Sequence, residues 1–255
     1  MKKALVYGAQ STVGKKLIEK LKSENYWVRA VGSVQDDDSI ADEFYSGDLT
    51  QESIAMATMF SDTMPFDVVY QLISNDDDSK DSLVNNLLVN INTLKYASRY
   101  TVGKVVTISS GEKFIEKLYS KFDIKYKIIQ KVDLFSIDID ESDLVTSICS
   151  DICKITKTKE HKISNGNKKI NLLLVDDYVN DILKEKKSKV NQVTINQLNR
   201  AIIDISGKKI GFKQIKKGLN TQLKNQIANV YTLVEKNILD KKESKKSLKK
   251  LGNLV

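Results

Sequence analysis

Short apolar runs and amphipathic stretches alternate along the first 135 residues. Ala4–Tyr7 is apolar throughout, and behind it Val13, Leu17, Ile18 and Leu21 recur at helical spacing. The pair predicts a strand followed by a helix over 13–22. Tyr26–Val31 reads as a second strand, "DLTQESIAMATMF" (48–60) as a capped helix, and "FDVVYQLI" (66–73) as a third strand. A long amphipathic helix follows at 82–100, a fourth strand at "KVVTISS" (104–110), a helix at 111–122 and a fifth strand at 124–132. Strands that are apolar without a break are buried on both faces, as in a parallel sheet covered by helices. Right-handed crossovers then make this an α/β fold, a Rossmann-like doubly wound parallel sheet with helices on both faces.

The second half is patterned more loosely. It predicts a helix over 142–155, short strands near 162–164 and 170–174 joined by the turn "NGN" (165–167), and a helix over 176–185 begun by Asp176 and Asp177. Residues 192–213 read strand, helix, glycine stop, strand, with Thr194 or Asn196 as cap and Gly207 as the stop. A last helix is expected over 217–237. The single proline, Pro65, marks no linker. The expected organisation is one domain over 1–238, with the Rossmann core to 135 and residues 136–238 completing the sheet and forming a small reduced C-terminal lobe. Residues 239–255 are expected to be a flexible basic tail.

Composition narrows the class. The chain has 255 residues, 41% of them hydrophobic, and a mean hydropathy of −0.32. It shows neither a run long enough to span a bilayer nor a signal peptide, so no membrane partner and a cytoplasmic location are expected. The net charge of +8 is uneven, acidic up to residue 110 and basic beyond, thickening in "KKESKKSLKK" (241–250). That excess is nearly all lysine, without the arginines and interleaved aromatics of a nucleic-acid surface. Nucleic acid is therefore not an expected partner, and docking of an acidic protein partner through the tail is the weaker reading. Cys149 and Cys153 stand four apart on a predicted helix, with His161 the single histidine. No metal site and no disulfide are expected from so few ligands.

The stretch with chemistry in it is "YGAQSTVG" (7–14). Gly8 allows a tight turn and Gly14 a close approach of helix to strand, while Ser11 stands where a middle glycine lets backbone approach a pyrophosphate. Backbone N–H groups at the helix start, from Ser11 to Gly14, favour an anion. A serine hydroxyl there can donate to phosphate. Either the loop holds NAD or NADP, weakened by Ser11, or Gly8 and Gly14 serve only the turn.

Four segments carry a family resemblance. "ALVYGAQSTVG" is similar to the "GAxGxxG" opening of extended short-chain dehydrogenases/reductases, and "YSGDLT" (45–50) to their "xGDLxD" adenine-pocket segment. "FDVVYQLIS" with "NNLLVNINTLKYASRYTVGKVVTISS" resembles the NAD-dependent nucleotide-sugar epimerases and dehydratases, and "ISNGNKKINLLLVDDYVNDIL" (163–183) resembles their "WGDGxQxRSFxYIDDxVEGIL". The GDP-mannose 3,5-epimerase type is the nearest in pattern, and the chain looks like a truncated and degenerate relative. The resemblance implies cofactor contacts at Gly8, Ser11, Thr12, Val13, Gly14, Asp48, Leu49 and Leu72. It also implies a homodimer through helices 82–100 and 111–122, or pairing with an active homologue.

The departures fall on the chemistry. Where the family's acidic residue holds the ribose at the end of the second strand, this chain has Gly32. The family's Tyr-x-x-x-Lys maps onto Ser109 and Lys113, with no tyrosine at the first position. Tyr119 and Tyr126 lack a lysine four residues on, and Ile170 replaces the arginine that clamps a nucleotide-sugar diphosphate. Phenol near pKa 10 can be lowered by an adjacent cation toward neutrality; a serine hydroxyl cannot be brought that far. Ser109 and Lys113 are thus remnant positions. A non-catalytic binding, structural or regulatory protein is expected, the alternative being an active NAD-dependent nucleotide-sugar enzyme with unconventional residues. Asn92 is expected to satisfy backbone groups between helix and sheet, and Asn85 and Asn86 to lie on the surface.

Overall fold

The computed structural model describes residues 1–74, 79–109, 113–137, 144–155, 166–186, 189–211 and 218–252, the side chains of the last segment up to Lys241. The chain forms two compact units: Met1–Lys131 with Asp176–Ser188, and Val132–Val175 with Lys189–Val255. The division arises because the chain leaves the first unit after its sixth strand and returns to it only for one helix.

In the first unit, β1 (Lys3–Tyr7) leads through α1 (Thr12–Ser23) to β2 (Trp27–Gly32) and β3 (Glu43–Ser46). Then come α2 (Glu52–Met59), β4 (Val68–Gln71), α3 (Lys80–Arg99), β5 (Val105–Ser109), α4 (Lys113–Tyr119) and β6 (Tyr126–Gln130). The six strands are parallel, in the order β3-β2-β1-β4-β5-β6. This is the doubly wound arrangement, in which the order reverses between β1 and β4 and leaves a crevice at the carboxyl ends of the strands. Leu5, Tyr7, Val31, Val69 and Val105 from the sheet pack with Val89, Leu94 and Ala97 of α3. On α1, Leu17 and Leu21 are fully buried, four residues apart and so on one face.

β3 was not anticipated. It is a half-exposed edge strand with only Phe44 and Tyr45 apolar, so it shows no buried run. Its pairing with β2 is reinforced by Glu43, whose Oε2 lies 2.7 Å from the Arg29 Nε.

In the second unit, β7 (Asp133–Phe135) pairs parallel with β8 (Lys169–Leu174), which pairs antiparallel with β9 (Asn191–Thr194); α5 (Leu144–Lys154) lies between β7 and β8 in the chain. From β8 the chain runs into α6 (Val175–Leu183), whose residues from Asp176 onward belong to the first unit. There Tyr178 donates its hydroxyl to the Gln130 carbonyl at 3.0 Å. After β9 come α7 (Ile195–Ser206) and α8 (Thr221–Gly252). Phe135, Ile152, Leu172, Leu198, Ile202, Leu223, Ile227 and Val230 form the second unit's core. Thr194 caps α7 in a reciprocal box with Gln197, and Gly207 ends it at φ +64°. α8 runs fifteen residues beyond the expected end at 237, through a stretch of lysine, glutamate and leucine that favours helix and contains no glycine before Gly252. The strand expected at 162–164 lies outside the described residues. Of the strand expected after the Gly207 stop, up to residue 213, Gly211 forms an isolated bridge, and residues 212–213 lie outside the described residues.

Candidate functional site

The crevice at the carboxyl ends of β1, β2 and β4 has a volume of about 470 Å³. Its floor is aliphatic, from Val31, Leu49, Leu72, Ile73 and Val89, and its rim is polar, from Gln10, Ser11, Ser33, Asp48, Thr50, Ser74, Asn85 and Asn86. Of the residues expected to touch a cofactor, Gly8, Ser11, Asp48, Leu49 and Leu72 line it. Thr12, Val13 and Gly14 form the first turn of α1 behind that lining.

The turn into α1 is tight for stated reasons. Gly8 has φ +82°, a conformation that L side chains rarely adopt. A Cβ on Gly14 would lie 2.3 Å from the Gly8 carbonyl oxygen and 2.8 Å from that of Ala9. Ser11 is the N-cap: its Oγ accepts from the Gly14 N–H at 3.0 Å and donates to the Gly8 carbonyl at 2.8 Å. The hydroxyl that the sequence offers to a phosphate is therefore committed within the turn.

Across the crevice, Asp48 accepts from the Thr50 N–H at 2.9 Å. Asn92, buried on α3, donates to the carbonyls of Leu49 and Thr50, each at 3.0 Å. It fixes this rim to the helix. Asn85 is exposed and Asn86 half-buried, as expected of surface positions, and both line the crevice from α3.

The remnant catalytic positions do not come together there. Ser109 is buried at the end of β5, while Lys113 is exposed at the start of α4, and neither lines the crevice. The lysine beside Ser109 is Lys131, whose backbone N–H donates to the Ser109 carbonyl at 2.8 Å. Its Nζ donates to the carbonyl of the crevice residue Ser74 at 3.1 Å. Lys131 carries no sequence motif, and only the strand order β4-β5-β6 brings it there.

Among the described lining residues there is no tyrosine, lysine, arginine or histidine. Tyr119 is fully buried and donates its hydroxyl to Asn90 Oδ1 at 2.7 Å. Burial holds its phenol well above the ordinary tyrosine value. Tyr119 is thus a core residue of the α3–α4 contact. Tyr119→Phe should strip Asn90 Oδ1 of its donor and cost about 1–3 kcal/mol in a denaturant titration, the penalty for an unpaired buried acceptor. An unchanged midpoint would contradict this placement. No group of three metal-ligating side chains occurs among the described residues, and no described helix is long and apolar enough to cross a membrane.

Fold and crevice together define an α/β protein of Rossmann-like, doubly wound architecture. Residues 4–117 match the sequence model of the NAD dependent epimerase/dehydratase family. No curated protein matches the sequence with significance. Among solved structures, the chain is similar to the UDP-glucose 4-epimerase of Thermotoga maritima with UDP-glucose, at 16% identity and a TM-score of 0.72, over 92% of this chain and 99% of that one. It is similar to the UDP-glucose 4-epimerase of Thermus thermophilus in complex with NAD, at 13% identity and a TM-score of 0.69, over 91% and 98%. A putative epimerase of Burkholderia cenocepacia aligns at 12% identity and a TM-score of 0.71, over 92% and 98%. At such identities the likeness is one of fold.

Against an NAD, the two ends of the crevice differ. The turn at Gly8 and the close-packed start of α1 suit a pyrophosphate. The end of β2 does not suit the ribose. It offers no carboxylate, and the space that a side chain at Gly32 would enter is filled by the amide of Gln10, 2.6 Å from the ideal Cβ.

Proposed function

We propose that this protein is a non-catalytic member of the epimerase/dehydratase family, which keeps the fold and a weakened dinucleotide-type crevice as a binding or assembly protein. The observation that carries this reading is the lining of the crevice. Among the described lining residues there is no phenol, amine or imidazole to take a proton from a sugar hydroxyl. The test is incubation of the purified chain with NAD and a panel of GDP-, UDP- and dTDP-sugars, and no conversion is expected.

The surface supports the assembly half of the reading. Leu83, Val84 and Leu88 on α3 and Phe114 on α4 are 52%, 52%, 38% and 40% exposed, an apolar set left uncovered among the described residues. Val89, Leu94 and Ile115, by contrast, are consumed by the core. A homodimer through α3 and α4 is the expected state. Light scattering at micromolar concentration should give twice the chain mass, and Leu83→Lys with Phe114→Lys should halve it without lowering the melting temperature. A monomeric wild type would refute the dimer.

A further inference from the structure

Resting on the reading of the crevice as a dinucleotide-type site, we infer that Gln10 sets its nucleotide affinity by occupying the seat of the adenosine ribose. Three observations meet on this residue. First, in a doubly wound fold the ribose hydroxyls are held from the end of β2, and position 32 is the last residue of that strand. Second, Gly32 is not a glycine for backbone reasons: among the described glycines, Gly8 and Gly207 have positive φ and Gly32 does not. It is a glycine because of space: a Cβ there would meet Gln10 Oε1 at 2.6 Å, Cδ at 2.7 Å and Cγ at 2.9 Å. Third, the amide is fixed at both ends. Its Oε1 accepts from the Ser33 N–H at 3.0 Å, the Val34 N–H at 3.3 Å and the Ser33 hydroxyl at 3.2 Å. Its Nε2 donates to the Val34 carbonyl at 3.1 Å.

The consequence is a self-capped loop. The Ser33 and Val34 N–H groups after β2 are already bonded to a side chain from the glycine turn. A ribose must displace a four-bonded amide to reach them, and it finds no carboxylate in exchange. Glycine at 32 and glutamine at 10 are therefore one device. Either substitution alone leaves the seat incomplete: Gly32→Asp sets its Cβ against the Gln10 amide, with which it must compete for the same space, and Gln10→Ala removes the plug without supplying the acceptor.

The experiment titrates the full chain with NAD, and with AMP as a probe of the adenosine end alone, by calorimetry. Wild type should bind NAD with a dissociation constant weaker than about 10 μM. The double variant Gln10→Ala/Gly32→Asp should tighten both NAD and AMP by about tenfold or more, the worth of a hydrogen bond to a charged acceptor. Gly32→Asp alone should gain less than the double variant. In wild type, amide exchange at Ser33 and Val34 should be slow, and Gln10→Ala should speed it. The inference is overturned if the double variant melts like wild type yet binds neither probe more tightly, or if wild type binds NAD below about 10 μM. Fast exchange at Ser33 and Val34 in wild type overturns it too, and needs no variant to fold. Sugar turnover accompanied by the gain in the double variant would overturn the non-catalytic reading and leave the role of Gln10 standing.

Discussion

Gly14→Ala lowers the melting temperature of the first unit by about 6–12 °C. The methyl group would sit 2.3 Å from the Gly8 carbonyl oxygen and 2.8 Å from that of Ala9. Both are backbone atoms, so neither can swing aside as the end of a side chain could. The turn is held in place on its other side by Gly8 and Ala9, whose N–H groups donate to the Val31 carbonyl at 3.0 and 3.1 Å. Relief must come from lifting α1, which carries the buried Leu17, Ile18 and Leu21. Overpacking of this kind costs about 3 kcal/mol, and each kcal/mol moves the midpoint by about 2–4 °C in a chain of this size. Gly207→Ala is the control. Its Cβ would meet nothing within 4 Å, and only the left-handed φ of +64° opposes it, at about 1–2 kcal/mol. Calorimetry should rank Gly14→Ala well below Gly207→Ala, and equal midpoints would remove the close-approach argument.

What the sequence shows of this fold follows from burial on both faces. β1, β4 and β5 are covered above and below, so their residues must be apolar in a run, and they read as strands at sight. β3 is covered on neither side to that degree and leaves no run to see. Gly8 and Gly14 are legible because a turn and a close packing each demand a residue without a side chain at a fixed offset. Gln10 is illegible for the opposite reason. It lies between them at a position with no motif of its own, and its meaning depends on Gly32, which is distant in sequence and adjacent only across the β1–β2 pair. Tyr119 shows the same limit. On paper it is a tyrosine near Lys113; in the fold its phenol points into the core at Asn90. Asn92 was readable because a buried amide in a helix over a strand end has backbone groups to satisfy.

The purified chain should convert no nucleotide sugar, and Lys113→Ala should change nothing measurable. Oxidation of a sugar hydroxyl needs a base beside the reacting carbon, and loss of such a base costs about 10²–10⁴-fold. The family's tyrosine position is Ser109, buried to 4% exposure and outside the crevice lining. A serine hydroxyl, unlike a phenol, is not brought into the neutral range by one lysine. Lys113 itself is exposed on α4, away from the lining, so its truncation should shift stability by less than about 0.5 kcal/mol. Tyr119→Phe should likewise leave the absence of turnover unchanged while lowering stability. These two variants separate a structural from a chemical role for each residue. The measurement is product formation by chromatography over the GDP-, UDP- and dTDP-sugar panel, with melting curves for each variant. Turnover that falls a hundredfold in Lys113→Ala would mean that the lysine still serves chemistry, and the non-catalytic reading would be wrong. Turnover that survives Lys113→Ala but is lost in Lys131→Ala would place the working cation at the end of β6, where Lys131 already reaches the Ser74 carbonyl on the crevice rim.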